Sequence, residues 1–98
     1  MRIISRKILR EFREKYNDAE EQLKTWYKEV SKANWATPNG IKNEYAKASI
    51  LKNNRVVFNI CGNSYRLILK VNYKRGWVFI KFIGTHTDYD SVYAEASA

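Results

Sequence analysis

Residues 55–83 read RVVFNICGNSYRLILKVNYKRGWVFIKFI. Three apolar runs stand out: Arg55 to Ile60, Tyr65 to Tyr73 and Trp77 to Ile83. Gly62-Asn63-Ser64 and Lys74-Arg75-Gly76 separate them, and Gly, Asn and Ser are the residues tight turns favour. Connections this short join antiparallel neighbours, so the stretch predicts a three-stranded meander. Successive side chains on a strand point to opposite faces. Val56, Phe58 and Ile60 of the first run therefore share a core face with Tyr65, Leu67, Leu69, Val71 and Tyr73 of the second. Val78, Ile80 and Phe82 are expected to complete that face from the third run. The other face collects Arg55, Val57, Asn59, Arg66, Ile68, Lys70, Asn72, Trp77, Phe79, Lys81 and Ile83. A slip of one residue would reverse any of these assignments.

Upstream of the meander the period changes from two to about 3.6. Arg2-Ile3-Ile4 reads as a short opening strand, and Ser5 as an N-cap for a helix through Tyr16. Ile8, Leu9, Phe12 and Tyr16 recur one helical turn apart. Asn17-Asp18 interrupts that pattern, and Asp18 with Glu21 matches a capping box opening a second helix. Ala19, Leu23, Trp26, Tyr27 and Val30 form its apolar stripe. Two amphipathic helices in succession predict a helical pair lying on the sheet. Ala33 to Gly40 reads as a loop and Ile41 to Lys47 as a short third helix. The expected class is α+β: two N-terminal helices packed on a twisted antiparallel sheet of three to four strands. Residues 1–93 are expected to form one domain, with 94–98 a disordered Ala-rich tail.

The charge is unevenly placed. The chain has 98 residues and a formal net charge of +8. Between Tyr45 and Thr87 it has eight Lys or Arg and no Asp or Glu. A long acid-free basic segment suits a polyanion, because each cation near a phosphate releases condensed counterions. A basic surface with no partner is the plainer alternative, since net charge also serves solubility. Cys61 is the single cysteine and His86 the single histidine. No paired-Cys spacing is present, so neither a metal site nor another cofactor is expected. Neither a secretory leader nor a long apolar run is seen, so a cytoplasmic protein without membrane contact is expected.

The segment closes on Gly84-Thr85-His86-Thr87-Asp88-Tyr89-Asp90. Imidazole exchanges protons near neutral pH. Tyr89 can donate a proton or stack on a base, and Asp90 can orient the imidazole or cap a short helix at residues 91–95. Asp88 reads as a solvated loop acid. Cations hold phosphates and aromatic rings stack unpaired bases, so the mixed polar face suits RNA. Arg66, His86 and Tyr89 are the candidate catalytic residues. Arg55, Asn59, Lys70, Asn72, Lys74, Arg75 and Lys81 are the candidate RNA contacts.

Two strings sharpen this reading: Phe58-Asn59-Ile60-Cys61-Gly62-Asn63-Ser64-Tyr65-Arg66-Leu67 and Phe82-Ile83-Gly84-Thr85-His86-Thr87-Asp88-Tyr89-Asp90. In that order and separation, with Ala33-Asn34-Trp35 and the opening Arg2-Ile3-Ile4-Ser5-Arg6, they resemble the HigB toxins of bacterial type II toxin–antitoxin modules. The resemblance runs over about residues 1–93. It implies a RelE-like fold and a ribosome-dependent endoribonuclease that cuts mRNA in the decoding site, inhibiting translation. It also implies a HigA-like helix-turn-helix antitoxin that contacts operator DNA. In such toxins an Arg commonly follows a Gly-x-Tyr-like turn, which Arg66 matches. A Gly-His-like segment with a nearby Tyr is matched by His86 and Tyr89. The catalytic carboxylate of some relatives has no counterpart in the acid-free segment, so a loop carboxylate or His86 must serve as the base. Two departures stand out: Cys61 occupies a turn position where a small residue such as Gly is expected, and the tail beyond Val92 is Ala-rich and unlike a catalytic element. A non-catalytic RNA- or ribosome-binding protein is the alternative from another class. A DNA-binding regulator fits least, because the N-terminal helices lack a Gly turn.

Overall fold

The structure, a computed structural model, describes residues 1–62 and 64–89. The expected tail, Asp90 and the expected helix at residues 91–95 lie outside the described residues, as does Asn63 in the turn. In chain order the elements are β1 (Arg2–Ile4), α1 (Arg6–Lys15), a 3₁₀ turn (Asn17–Ala19) and α2 (Glu20–Lys32). There follow α3 (Pro38–Glu44), β2 (Ser49–Ile50), β3 (Arg55–Ile60), β4 (Tyr65–Asn72) and β5 (Trp77–Thr85). The sheet runs in the order β1-β5-β4-β3-β2. Helices thus pack on one face of an open sheet, the α+β arrangement that the pattern predicts. Among the described residues the sheet has five strands, however, and it is mixed: β1 lies parallel to β5, with Ile3 opposite Val78. The extra strand is the two-residue β2, too short to show an alternation in sequence.

The core lies between α1, α2 and the sheet. Leu9, Phe12, Leu23, Trp26 and Val30 come from the helices, and Ile3, Val56, Phe58, Ile60, Leu67, Leu69, Val71, Val78 and Ile80 from the strands. Phe12, Tyr16 and Tyr65 form an aromatic cluster, with Tyr16 stacked on Phe12 at 4.6 Å and Tyr65 edge-on to Phe12 at 5.1 Å. Edge-on and offset rings suit the aromatic quadrupole.

Several local expectations are corrected. Ser5 occupies the N-cap position of α1, but in a left-handed conformation and without a capping side-chain bond. Asp18 does not cap α2 either, because its carboxylate is engaged elsewhere: Tyr65 OH donates to Oδ1 at 2.7 Å and to Oδ2 at 3.0 Å. α3 begins at Pro38 rather than Ile41. Proline's fixed φ and missing N–H suit the first helical turn, so it opens this helix instead of extending the loop. Cys61 takes φ 53° beside Gly62 at φ 67°, which is why a glycine would be at home there.

The most consequential correction is in β5. Leu69 pairs with Ile80 but Ile68 pairs with Phe82, so Lys81 is an extra residue and the strand bulges. A bulge puts two residues opposite one and reverses the alternation beyond it. Phe82 therefore joins the outward face, opposite Ile68, and Ile83 turns to the core, opposite Leu67. Both are the reverse of the alternation reading.

Candidate functional site

The register sorts the outward face into rows. Arg55, Lys70 and Phe79 form one row, Val57, Ile68 and Phe82 the next, and Asn59, Arg66 and Gly84 the third. Asn72 pairs with Trp77 beyond the first row. Val57 and Ile68 are buried although they point away from the helix layer, at 5% and 1% exposure. An apolar row thus divides the polar face into two zones.

One zone is centred on Arg66. Its guanidinium lies 5.9 Å from the centroid of the Tyr89 ring, a cation–π contact. Its Nη1 is shut off from solvent and has no hydrogen-bond partner among the described residues. Trp26 Nε1, Trp35 Nε1 and Tyr73 OH share that condition, but Arg66 alone of the four carries charge. Buried polar groups are nearly always paired, so among the described residues this charged donor is still open to an acceptor.

Gly84 makes room in this zone. A Cβ there would lie 2.6 Å from Phe82 Cζ and 3.3 Å from Asp88 Cβ. Beyond Gly84 the chain turns into helix at residues 86–89. His86 N–H donates to the Ser64 carbonyl at 3.2 Å, which carries the β4–β5 ladder two residues past the Arg66–Gly84 pair. Thr85 and Asp88 fix the start of the helix reciprocally. Asp88 N–H donates to Thr85 Oγ1 at 3.1 Å, and Thr85 N–H donates to Asp88 Oδ2 at 3.4 Å. This is a capping box. Asp88 is therefore a structural cap rather than a solvated loop acid, and the Thr-x-x-Asp spacing was its signal in the sequence. His86 is exposed and Tyr89 half-buried.

Tyr65 anchors the zone from beneath. Its hydrogen bond to Asp18, reinforced by burial, pushes the phenol up to about 12. The adjoining turn is tied to the same region, since Cys61 N–H donates to Gln22 Oε1 at 2.6 Å and Cys61 Sγ to the Asp18 carbonyl at 3.4 Å. Burial, with Asp18 second, raises the Cys61 thiol above its usual range. A protonated thiol is a poor nucleophile. These bonds fix the register of β4, and so the direction of Arg66.

The other zone holds most of the remaining candidates. Lys70 and Lys81 are exposed there, and Arg55 Nε is tied to the Lys52 carbonyl at 3.4 Å. Arg75 lies over the Trp77 ring at 5.0 Å, and Lys81 Nζ is 6.0 Å from the Phe79 centroid. Lys74 is exposed in the β4–β5 turn, off the face. Asn59 alone of the expected RNA contacts stands in the row of Arg66.

A larger groove, about 570 Å³, opens on the helix layer and is lined by Arg6, Lys7, Arg10 and Arg13 with Leu9, Leu23 and Tyr27. It holds no proton-transfer pair: Arg6 donates to Tyr27 OH at 2.9 Å, and that contact raises the guanidinium pKa further. The chemistry-bearing groups lie at the Arg66 zone instead. Among the described residues no cluster of three or more His, Cys, Asp or Glu could hold a metal ion. None of the helices there is long and apolar enough to cross a membrane.

The sequence model of the HigB toxins, described as the RelE-like toxic component of a toxin–antitoxin system, matches residues 19–92. The chain belongs to the HigB toxin family. The match reaches from the residue after Asp18 past the 86–89 helix, so it includes Arg66, His86 and Tyr89. The chain is 27% identical over 94 residues to the mRNA interferase HigB of Escherichia coli O6:H1, covering 94% of this chain and 91% of that protein. It is 26% identical over 92 residues to the mRNA interferase toxin HigB of Escherichia coli K12, covering 92% and 88%. The mRNA interferase HigB of Shigella flexneri matches to the same extent. As a HigB family member the chain is the toxic component of a toxin–antitoxin pair, with an antitoxin as its partner.

Proposed function

We propose that this HigB family toxin is an endoribonuclease that cuts mRNA on the ribosome without a metal ion, at the zone formed by Arg66, His86 and Tyr89. The observation that carries the reading is the Arg66 guanidinium, held under the Tyr89 ring with one buried N–H lacking a partner among the described residues. A phosphate oxygen would supply that partner.

The ribose 2′-hydroxyl attacks the adjacent phosphorus and the P–O5′ bond breaks, leaving a 2′,3′-cyclic phosphate and a free 5′-hydroxyl. The proton lost by the 2′-hydroxyl passes to a base, and the departing 5′-oxygen takes one from an acid. Arg66 neutralises charge developing on the phosphoryl oxygens. Asp88 is committed to its cap, so among the described groups around Arg66 the proton work falls to His86. Tyr89 holds Arg66 in place and braces the substrate. Asn59 contacts the RNA beside Arg66. Across the apolar row, Arg55, Lys70, Asn72 and Lys81 follow the strand, while Lys74 and Arg75 meet it at the β4–β5 turn. The ribosome orients the mRNA, which can contribute several kcal/mol and compensates for a small catalytic inventory. The partner is a HigA-like helix-turn-helix antitoxin through which operator DNA is reached, and the toxin acts in the cytoplasm.

Induced expression tests the assignment. Arg66→Ala and His86→Ala should each relieve growth arrest while the protein accumulates folded. Primer extension on the induced cells' mRNA should find discrete new 5′ ends that depend on translation and vanish in both variants. Growth arrest without new 5′ ends would instead indicate a binding protein that blocks translation.

A further inference from the structure

The zone beyond the apolar row contains a cavity of about 350 Å³ lined by Asn54, Lys70, Val71, Asn72, Phe79 and Lys81. Its make-up is one aromatic ring, two ammonium groups, two amides and one valine, with no carboxylate among the described residues. Such a site selects a planar ring that carries negative charge beside it, as a nucleotide does. The volume falls at the low end for small-ligand pockets, which suits one base rather than a larger ligand.

Among the described residues the Phe79 ring carries one cation, Lys81 Nζ at 6.0 Å from its centroid, on a long side chain that a stacking base can displace. Trp77 meets Phe79 edge-on, with centroids 6.1 Å apart and planes at 80°, so it supports the ring from the side. Arg75 in turn lies over Trp77, not over Phe79. The amides are held from behind. Asn72 Oδ1 accepts the Arg75 N–H at 3.0 Å, which leaves its NH₂ group to donate into the cavity. The Asn54 carbonyl accepts the Val71 N–H at 2.9 Å, fixing that loop against β4.

We infer that this cavity is a nucleobase subsite: Phe79 stacks one unpaired base of the RNA, Lys70 and Lys81 hold its flanking phosphates, and Asn72 donates to the base edge. The inference rests on the cleavage reading above, because the stacked base belongs to the same strand. Lys70 is four residues beyond Arg66 on β4, about 13 Å at the rise of a strand. The subsite thus reads a nucleotide removed from the cut, across the row of Val57, Ile68 and Phe82.

The test uses a short 2′-O-methylated single-stranded RNA, which cannot be cleaved, and follows binding by fluorescence anisotropy. Phe79→Leu keeps an apolar side chain against Trp77 but removes the aromatic face. It should weaken binding roughly five- to hundredfold, the range for one lost stacking contact. Phe79→Tyr should restore wild-type affinity. The loss in Phe79→Leu should leave the salt dependence unchanged, whereas Lys70→Ala should flatten the slope of log K against log salt by about 0.7. An abasic position walked along the oligonucleotide should cost wild type affinity at one place and cost Phe79→Leu nothing there. A flat abasic scan, or Phe79→Leu binding as tightly as wild type, overturns the subsite. Because the probe reports binding alone, that result leaves cleavage by Arg66 and His86 standing. Loss of cleavage with an intact scan would do the reverse.

Discussion

Asp18 and Tyr65 are 47 residues apart, yet the phenol O–H donates to both oxygens of the carboxylate. Tyr65 is the inward neighbour of Arg66, so the bond sets which way the cation points. Its consequence for pH follows from the sign of the shift. A tyrosine ordinarily titrates near 10, and here the folded state holds the proton up to about 12. The stabilisation is therefore complete below pH 10 and is lost as pH rises from 10 through 12. Tyr65→Phe should melt below wild type at pH 8, and the gap between the two should close by pH 12 in a series of thermal scans. Alternation along β4 was enough to place Tyr65 inside and Arg66 outside. Asp18 was misread as a helix cap because its partner lies on an element the local pattern cannot see. Tyr45 too has a partner distant in sequence: its phenol is pushed up by burial and by its bond to Glu29 at 2.9 Å.

At the scale of elements, the bulge at Lys81 and the cap at Thr85 decide what the site can be. The bulge was beyond a reading that assumes regular pairing, because it leaves no mark in hydrophobicity when the residues around it are all apolar; the cap was written in the Thr-x-x-Asp spacing. Strand limits and helix stripes were legible, since each is written in its own residues. Gly84 tests the local packing. Gly84→Ala would set a methyl against the Phe82 ring, and overpacking of this kind costs about 1–3 kcal/mol. Urea unfolding should show that loss, and adding Phe82→Leu should recover part of it. The cap is tested by Asp88→Ala. Losing a capping side chain costs about 0.5–2 kcal/mol, here confined to the turn that carries His86 and Tyr89. The expected result is a severalfold drop in mRNA cleavage with a global unfolding midpoint close to wild type. An equal fall in both would mean that the 86–89 helix supports the whole fold.

For the whole molecule the net charge of +8 matters through where it is placed. Arg55, Arg66, Lys70 and Lys81 share the outward face of the sheet. If each neutralises one phosphate, log K for single-stranded RNA should fall against log salt with a slope of about −3, at roughly 0.7 per contact. A salt titration of binding checks this, and a slope near zero would detach the face from RNA. The acid-free segment announced that property in the sequence. What it did not announce was the split of the face by Val57, Ile68 and Phe82, which depends on strand order and the bulge together.

The parallel pairing of β1 with β5 has a bearing on how the protein is made. Ile3 emerges first and must wait for Val78 before its backbone groups find a ladder. Contacts this distant in sequence slow folding, because a long loop is closed before anything is gained. A chain halted before Trp77 would leave both β1 and one side of β4 as bare edges, the kind of template on which strands from other chains add. It would also lack the whole segment carrying His86. Interrupted synthesis would therefore leave fragments with unpaired strand edges, prone to adding strands from other chains.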